Sequence, residues 1–130
     1  MPTWAEIQQH ARSTYKLQQD EENFFSLVFS FDGGRTHKIW VRKFAAMETE
    51  WLEFRAIVCK FTEMAPKVAL RKNADLIIGS LALDADDDYI LVHNAPLDSM
   101  DLSEFERPLH VIAGTADNLE KAHAEDNDKW

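Results

Sequence analysis

Asp84, Asp86 and Asp88 stand at the first three ligand spacings of a calcium-binding loop, where alternating carboxylates converge on one hard cation. The remainder of the pattern fails. Tyr89 takes the place where the chain would need a glycine to turn, and Ala95 the place of the closing bidentate glutamate, so the reading is a solvated hairpin turn with no metal. The five histidines, His10, His37, His93, His110 and His123, show no close metal-ligand spacing and read as surface residues. Cys59 alternates with apolar neighbours, which suits an inert, partly buried thiol better than a nucleophile. Gly33-Gly34 precedes no helix and so cradles no phosphate. No cofactor follows from any of these patterns. The remaining catalytic possibility is a site assembled from distant residues, such as His93 with Asp98 or Glu104 near the last helix, serving an enzyme or a small-ligand binder.

The aromatic residues carry a different message. Phe24, Trp40, Phe44 and Trp51 alternate with the more obvious core residues of their strands. Either they crowd the sheet face that the helices leave uncovered, forming an apolar patch that binds a partner protein, or the register is inverted and they are core.

The elements that would position these side chains follow from apolar periodicity. Thr3 and Glu6 form a capping box, and Trp4, Ile7, Ala11 and Tyr15 lie at helical spacing, predicting a helix to about Gln18. From Asn23 to Phe31 the period becomes two, with Phe25, Leu27, Phe29 and Phe31 on one side. Asp32-Gly33-Gly34-Arg35 turns the chain into a second strand, Thr36 to Phe44, and a third runs from about Glu50 to Lys60. Thr62 to Lys72 reads as a short helix with Pro66 near its start, Leu76 to Leu83 and Tyr89 to His93 as a second hairpin. Asp101 and Glu104 cap a last helix carrying Leu102, Phe105, Leu109, Ile112, Ala116 and Leu119; Pro108 inside it predicts a kink or a restart near Arg107. The expectation is one α+β domain over residues 1–124, a two-layer sandwich of an antiparallel sheet and helices in the order α-β-β-β-α-β-β-α, then an acidic flexible tail over 125–130.

Charge and composition narrow the class. With 23 acidic against 14 basic residues the formal net charge is -9, a field that repels polyphosphates and anionic lipid, so neither nucleic acid nor a membrane is the expected partner. At 130 residues the chain suits one core. One cysteine allows no intramolecular disulfide, and no signal-like or bilayer-spanning apolar run is present, which together predict a cytoplasmic protein.

Two segments bear a resemblance. Leu70-Arg71-Lys72-Asn73-Ala74-Asp75-Leu76-Ile77-Ile78-Gly79-Ser80-Leu81-Ala82-Leu83-Asp84 is similar to the helix-to-strand passage of the YbjN-like family, and Ala95-Pro96-Leu97-Asp98 leading to Leu102, Phe105, Leu109 and Ala116-Asp117 is similar to that family's final loop and helix. With the element order, they resemble the type III secretion chaperone-like fold, shared by YbjN-like proteins and Tir-type secretion chaperones. Asn73 then reads as a left-handed helix cap and Gly79 as a point of close helix-on-strand packing; Pro108 departs from the family's uninterrupted last helix. The resemblance implies a dimeric, non-enzymatic protein that binds other proteins as a chaperone or regulatory adaptor.

Overall fold

The capping box that the sequence announces is formed: Thr3 Oγ1 accepts the Glu6 N–H and opens helix α1, Trp4–Thr14. A computed structural model describes residues 2–124, so the proposed acidic tail lies outside the described residues. Helix α1 buries Trp4, Ile7 and Ala11, with the Trp4 ring stacked on Phe25 at 5.6 Å. It stops four residues short of the expected end. Leu17–Asp20 is instead an edge strand, β1, antiparallel to β2 (Phe24–Ser30). Long-range polar bonds override the local helical pattern here: Gln8 Nε2 donates to Asp20 Oδ1 and to the Glu21 carbonyl, both at 2.7 Å, and Arg12 clamps the same aspartate.

Strand β2 pairs with β3 (Thr36–Ala46) through the glycine turn, whose Gly33 and Gly34 take φ of 80° and 78°. Strand β3 returns into β4 (Thr49–Lys60) through Met47 and Glu48, both in the left-handed region. Thr62 falls in a short 3-10 turn rather than a helix, and α2 begins at Pro66, where the missing proline N–H costs no bond, and runs to Asn73. Strand β5, Ser80–Leu83, starts later than Leu76 because the positive φ of Gly79, 93°, breaks the extended run before it. Strand β6, Asp88–Pro96, then lies between β4 and β5, giving the antiparallel order β1-β2-β3-β4-β6-β5.

The last helix, α3, runs unbroken from Leu102 to His123, without the restart expected at Arg107. Pro108 forfeits one backbone bond, but Phe105, Leu109, Ile112 and Ala116 are fully buried on either side of it and fasten both halves to the sheet. Phe105 sits 5.9 Å from Phe54 and 6.3 Å from Phe25, ring to ring. Helices α1 and α3 thus cover one sheet face, whose inward residues include Phe25, Leu27, Ile39, Val41, Leu52, Phe54 and Ala56. The fold is the expected α+β arrangement with one further strand near its start.

Candidate functional site

The strand register settles which way the four aromatics point. Phe25 pairs with Val41 and Val41 with Phe54, all three fully buried beneath the helices. Period-two alternation therefore turns Phe24, Trp40, Phe44 and Trp51 to the opposite, uncovered face, where all four are half-buried. Phe44 lies directly across from Trp51, and the Trp51 indole N–H donates to the Ala46 carbonyl at 2.9 Å. The Lys38 ammonium sits 4.5 Å over the Trp40 ring and the Arg42 guanidinium 4.7 Å over Phe44.

Between them runs a groove of about 620 Å³ bordered by Phe24, Trp40, Arg42, Arg55 and Ile57. Glu53, 8% exposed, stands in it with its carboxylate between two arginines: Arg42 Nη2 donates at 3.1 Å and Arg55 Nη2 at 3.3 Å. Arg55 Nε lies 3.1 Å from Glu53 Oε1 but at an angle that makes no hydrogen bond, and it is shielded from water. Gln19, which also borders the groove, accepts the hydroxyl of the buried Ser26 at its Oε1, at 2.9 Å. Trp40, Phe24 and the arginines give this face both apolar area and directed donors, the mixture found at protein interfaces.

A second cavity, about 270 Å³, brings His93 and Glu104 together with Ser103, Arg107 and Pro108 at the start of α3. Asp98 is not part of it and instead accepts from Thr49 Oγ1 at 3.5 Å. Burial pushes the His93 imidazole below its ordinary value, so it favours the neutral ring. Asp84 Oδ1 accepts the backbone N–H groups of Asp86 and Asp88 at 3.0 and 2.9 Å, which organises the acidic hairpin turn. Cys59 is fully buried; burial, followed by the charges of Glu63, Asp88 and Glu120, pushes its thiol up to about 12.

His37 overturns the expectation of a surface histidine: it is completely buried under α3. Its Nε2 is 2.7 Å from the Ile57 carbonyl and its Nδ1 3.4 Å from Asp117 Oδ1 and 3.7 Å from Glu120 Oε1. The ligand atoms of His37, Asp117 and Glu120 lie within 4.8 Å of one another, the one such group among the described residues. Arg35 already bridges both carboxylates, at 3.2 Å to Asp117 and 2.8 Å to Glu120, so the protein's own cation occupies the site and fastens α3 to the start of β3. The signal was present in outline: Arg35 and His37 share a strand face, and Asp117 and Glu120 are one helical turn apart beside the apolar stripe.

A further cluster gathers at the α1–α3 seam. Glu106 receives the Tyr15 hydroxyl, His10 Nε2 lies 2.7 Å from its other oxygen, and His110 Nε2 is 3.0 Å away. Burial, then the bond to Glu106, raises the Tyr15 hydroxyl well above its usual value.

No family model matches the chain, and no curated protein matches it. Among solved structures, a chain of the HopA1–SchA chaperone–effector complex superposes with a TM-score of 0.61 at 12% identity, over 88% of this chain and 90% of that one. The fold is therefore that of a chain in a chaperone–effector complex. No helix among the described residues is long and apolar enough to cross a membrane.

Proposed function

We propose that this is a non-enzymatic protein-binding domain of the secretion-chaperone and YbjN-like type, which holds a segment of a partner protein against its uncovered sheet face. The carrying observation is the aromatic groove on that face, in a fold that a chaperone–effector assembly also uses. Helices α1 and α3 bury the other face, so Phe24, Trp40, Phe44 and Trp51 are available to a partner without any rearrangement of the core. The test is capture of a defined partner by immobilised protein. Trp40→Ala abolishes it and Val111→Ala, on the exposed side of α3, leaves it intact, with both variants melting as the wild type does. Equal capture by both variants rejects this face.

The reading includes a homodimer and a cytoplasmic setting. Supporting the dimer are the exposed apolar side chains of Val68 and Leu70 on α2, of Ile77, at 97% exposure, between α2 and β5, and of Leu83 on the edge strand β5. Exposed apolar side chains of this kind are suited to packing against their own copy about a two-fold axis. Light scattering tests it: Leu70→Asp converts a dimer to a monomer, and a wild-type monomer at about 100 μM, a concentration at which even micromolar dimers persist, removes that element alone.

A further inference from the structure

The uncovered face has the opposite charge balance to the chain that carries it. The whole protein bears a formal charge of -9. Yet across the outward positions of β2, β3 and β4 stand Lys38, Arg42 and Arg55 against the single carboxylate of Glu53. That carboxylate is already spent. It lies buried between the two guanidiniums, and a group with two oxygens cannot saturate two forks of N–H donors. Arg55 shows the shortfall directly, because its Nε is shielded from solvent and has no hydrogen-bond acceptor despite the nearby Glu53 oxygen. Arg42 remains 46% and Arg55 37% exposed at the side chain, so both can be reached from the groove they border. Asp84, at the groove's far end, is turned to its own hairpin, its Oδ1 holding two backbone N–H groups.

Resting on the protein-binding reading above, we propose that the segment held in this groove is acidic: an extended stretch of a partner protein whose groove-facing residues, every second one along the chain, include both apolar side chains and Asp or Glu. That two-residue repeat follows from the geometry. An extended chain directs side chains to both of its faces, and residues two apart repeat at about 6.6 Å. Apolar side chains of the segment pack on Phe24, Trp40 and Ile57, and a carboxylate falls to the donors of Arg42 and Arg55, where bidentate pairing is strongest. Apart from Asp84, the lining residues span four neighbouring strands, β1 to β4, so about four or five extended residues bridge this part of the groove at the usual strand spacing. A basic segment meets the reverse situation, since on this face Lys38, Arg42 and Arg55 outnumber the carboxylates of Glu53 and Asp84, while the acidic remainder of the molecule lies elsewhere.

Fluorescence anisotropy with three labelled peptides of about ten residues, long enough to span the groove, separates the possibilities. They share Leu and Phe at some of the positions that face the groove and differ only in filling the remaining groove-facing positions, two residues away, with Glu, Lys or Ser. The Glu peptide binds at least tenfold tighter than the Lys peptide, with the Ser peptide between. Its advantage shrinks when ionic strength is raised from about 0.05 to 0.5 M, where screening is strong. Lys38→Glu reduces the Glu-over-Lys ratio while keeping Ser-peptide binding, and Arg42→Gln does the same; agreement between the two excludes a folding artefact at either position. Equal binding of all three peptides, or preference for the Lys peptide, overturns the acidic assignment and leaves the protein-binding face standing. Binding of none overturns both. Displacement of the Glu peptide by single-stranded oligothymidine at equal affinity assigns the cations to nucleic acid and also overturns the proposal.

Discussion

Gly79 lies so close to Ile112 that a Cβ built on it would stand 2.7 Å from the Ile112 Cδ1 atom and 3.3 Å from Leu91 Cδ1. This is the point where α3 presses on the passage into β5, and the backbone there has φ of 93°. Gly79→Ala therefore meets two penalties, a left-handed conformation and an overpacked contact. We expect a loss of about 1–3 kcal/mol in urea denaturation. Trimming the neighbour separates them: in an Ile112→Val background the steric part disappears and only the conformational part, about 1 kcal/mol, remains. An undiminished loss in that background means the contact with Ile112 is not what the glycine serves.

The buried group of Arg35, His37, Asp117 and Glu120 ties α3 to β3 by charge rather than by apolar contact. Asp117→Asn removes the carboxylate that accepts from Arg35 Nε and Nη2, in a set in which Glu120 is 0% and Asp117 7% exposed at the side chain, and so takes away a buried ionic acceptor of that guanidinium. Breaking one partner of such a set costs about 3–5 kcal/mol, a large share of a domain's stability. Chemical denaturation of the two proteins measures it; a change under about 1 kcal/mol, the scale of a surface pair, shows that the network is wet and weak.

Why much of this was readable from residue order, and some was not, is a matter of which interactions are local. The β2–β3 hairpin, both capping boxes and the core stripe of α3 from Phe105 to Leu119 depend on spacing and turn chemistry within a few residues, and they stand where the sequence put them, whereas Leu102, read as part of that stripe, is exposed. Strand β1 does not. Tyr15 to Gln18 continues a helical pattern, and only the distant partners Leu27 and Phe25, with the Gln8 and Arg12 anchors on Asp20, make that stretch extended. His37 was misplaced for the same reason, since its burial depends on carboxylates 80 and 83 positions along the chain, at Asp117 and Glu120. The outward direction of Trp40 and Trp51 was legible only as an alternation with two possible phases; the phase is set by Val41 and Phe54 packing beneath α3. The pinning of Glu53 by arginines from two strands was invisible, because cross-strand register is not a property of any one segment.

Glu106 gives a pH signature. Burial pushes its carboxyl upward, but hydrogen bonds from Tyr15, His10 and His110 more than reverse this and hold it below its ordinary value of 4.5. A depressed acid contributes stability that is present above 4.5 and is lost as pH falls through the folded-state value. Glu106→Gln removes that contribution. We expect the variant to be about 1–2 kcal/mol less stable at pH 7, discounted for the seam's partial exposure, with the gap closing as pH is lowered through the carboxylate range. A gap of constant size from pH 7 to pH 3 would mean that packing, not the ionised carboxylate, joins α1 to α3.

Asn73 does not cap α2 in the left-handed conformation expected from the sequence; among the described non-glycine residues only Met47, Glu48 and Asp87 have positive φ. It is the last residue of the helix, and its side chain does the pairing instead. Asn73 Oδ1 accepts the Leu81 N–H at 2.7 Å and its Nδ2 donates to the Leu81 carbonyl at 3.2 Å. An amide group presents the same donor and acceptor as a peptide unit, so Asn73 acts as one residue of a missing strand along the outer edge of β5. Strand β5 has only four residues and a single strand neighbour, β6, and its Leu81 packs into the core at 7% exposure. Asn73→Ala leaves both Leu81 groups without this partner while keeping a good helix former at the position, so the effect falls on the strand and not on α2. Amide exchange at Leu81 then accelerates by about tenfold or more, the equivalent of roughly 1.4 kcal/mol of local opening, while amides of the β3–β4 pair keep their protection. Asn73→Asp is the sharper comparison, since it retains the acceptor for the Leu81 N–H and loses the donor. Protection at Leu81 restored by Asp but not by Ala assigns the restraint to that one bond, whereas unchanged exchange in both variants would show that β6 alone holds the edge strand.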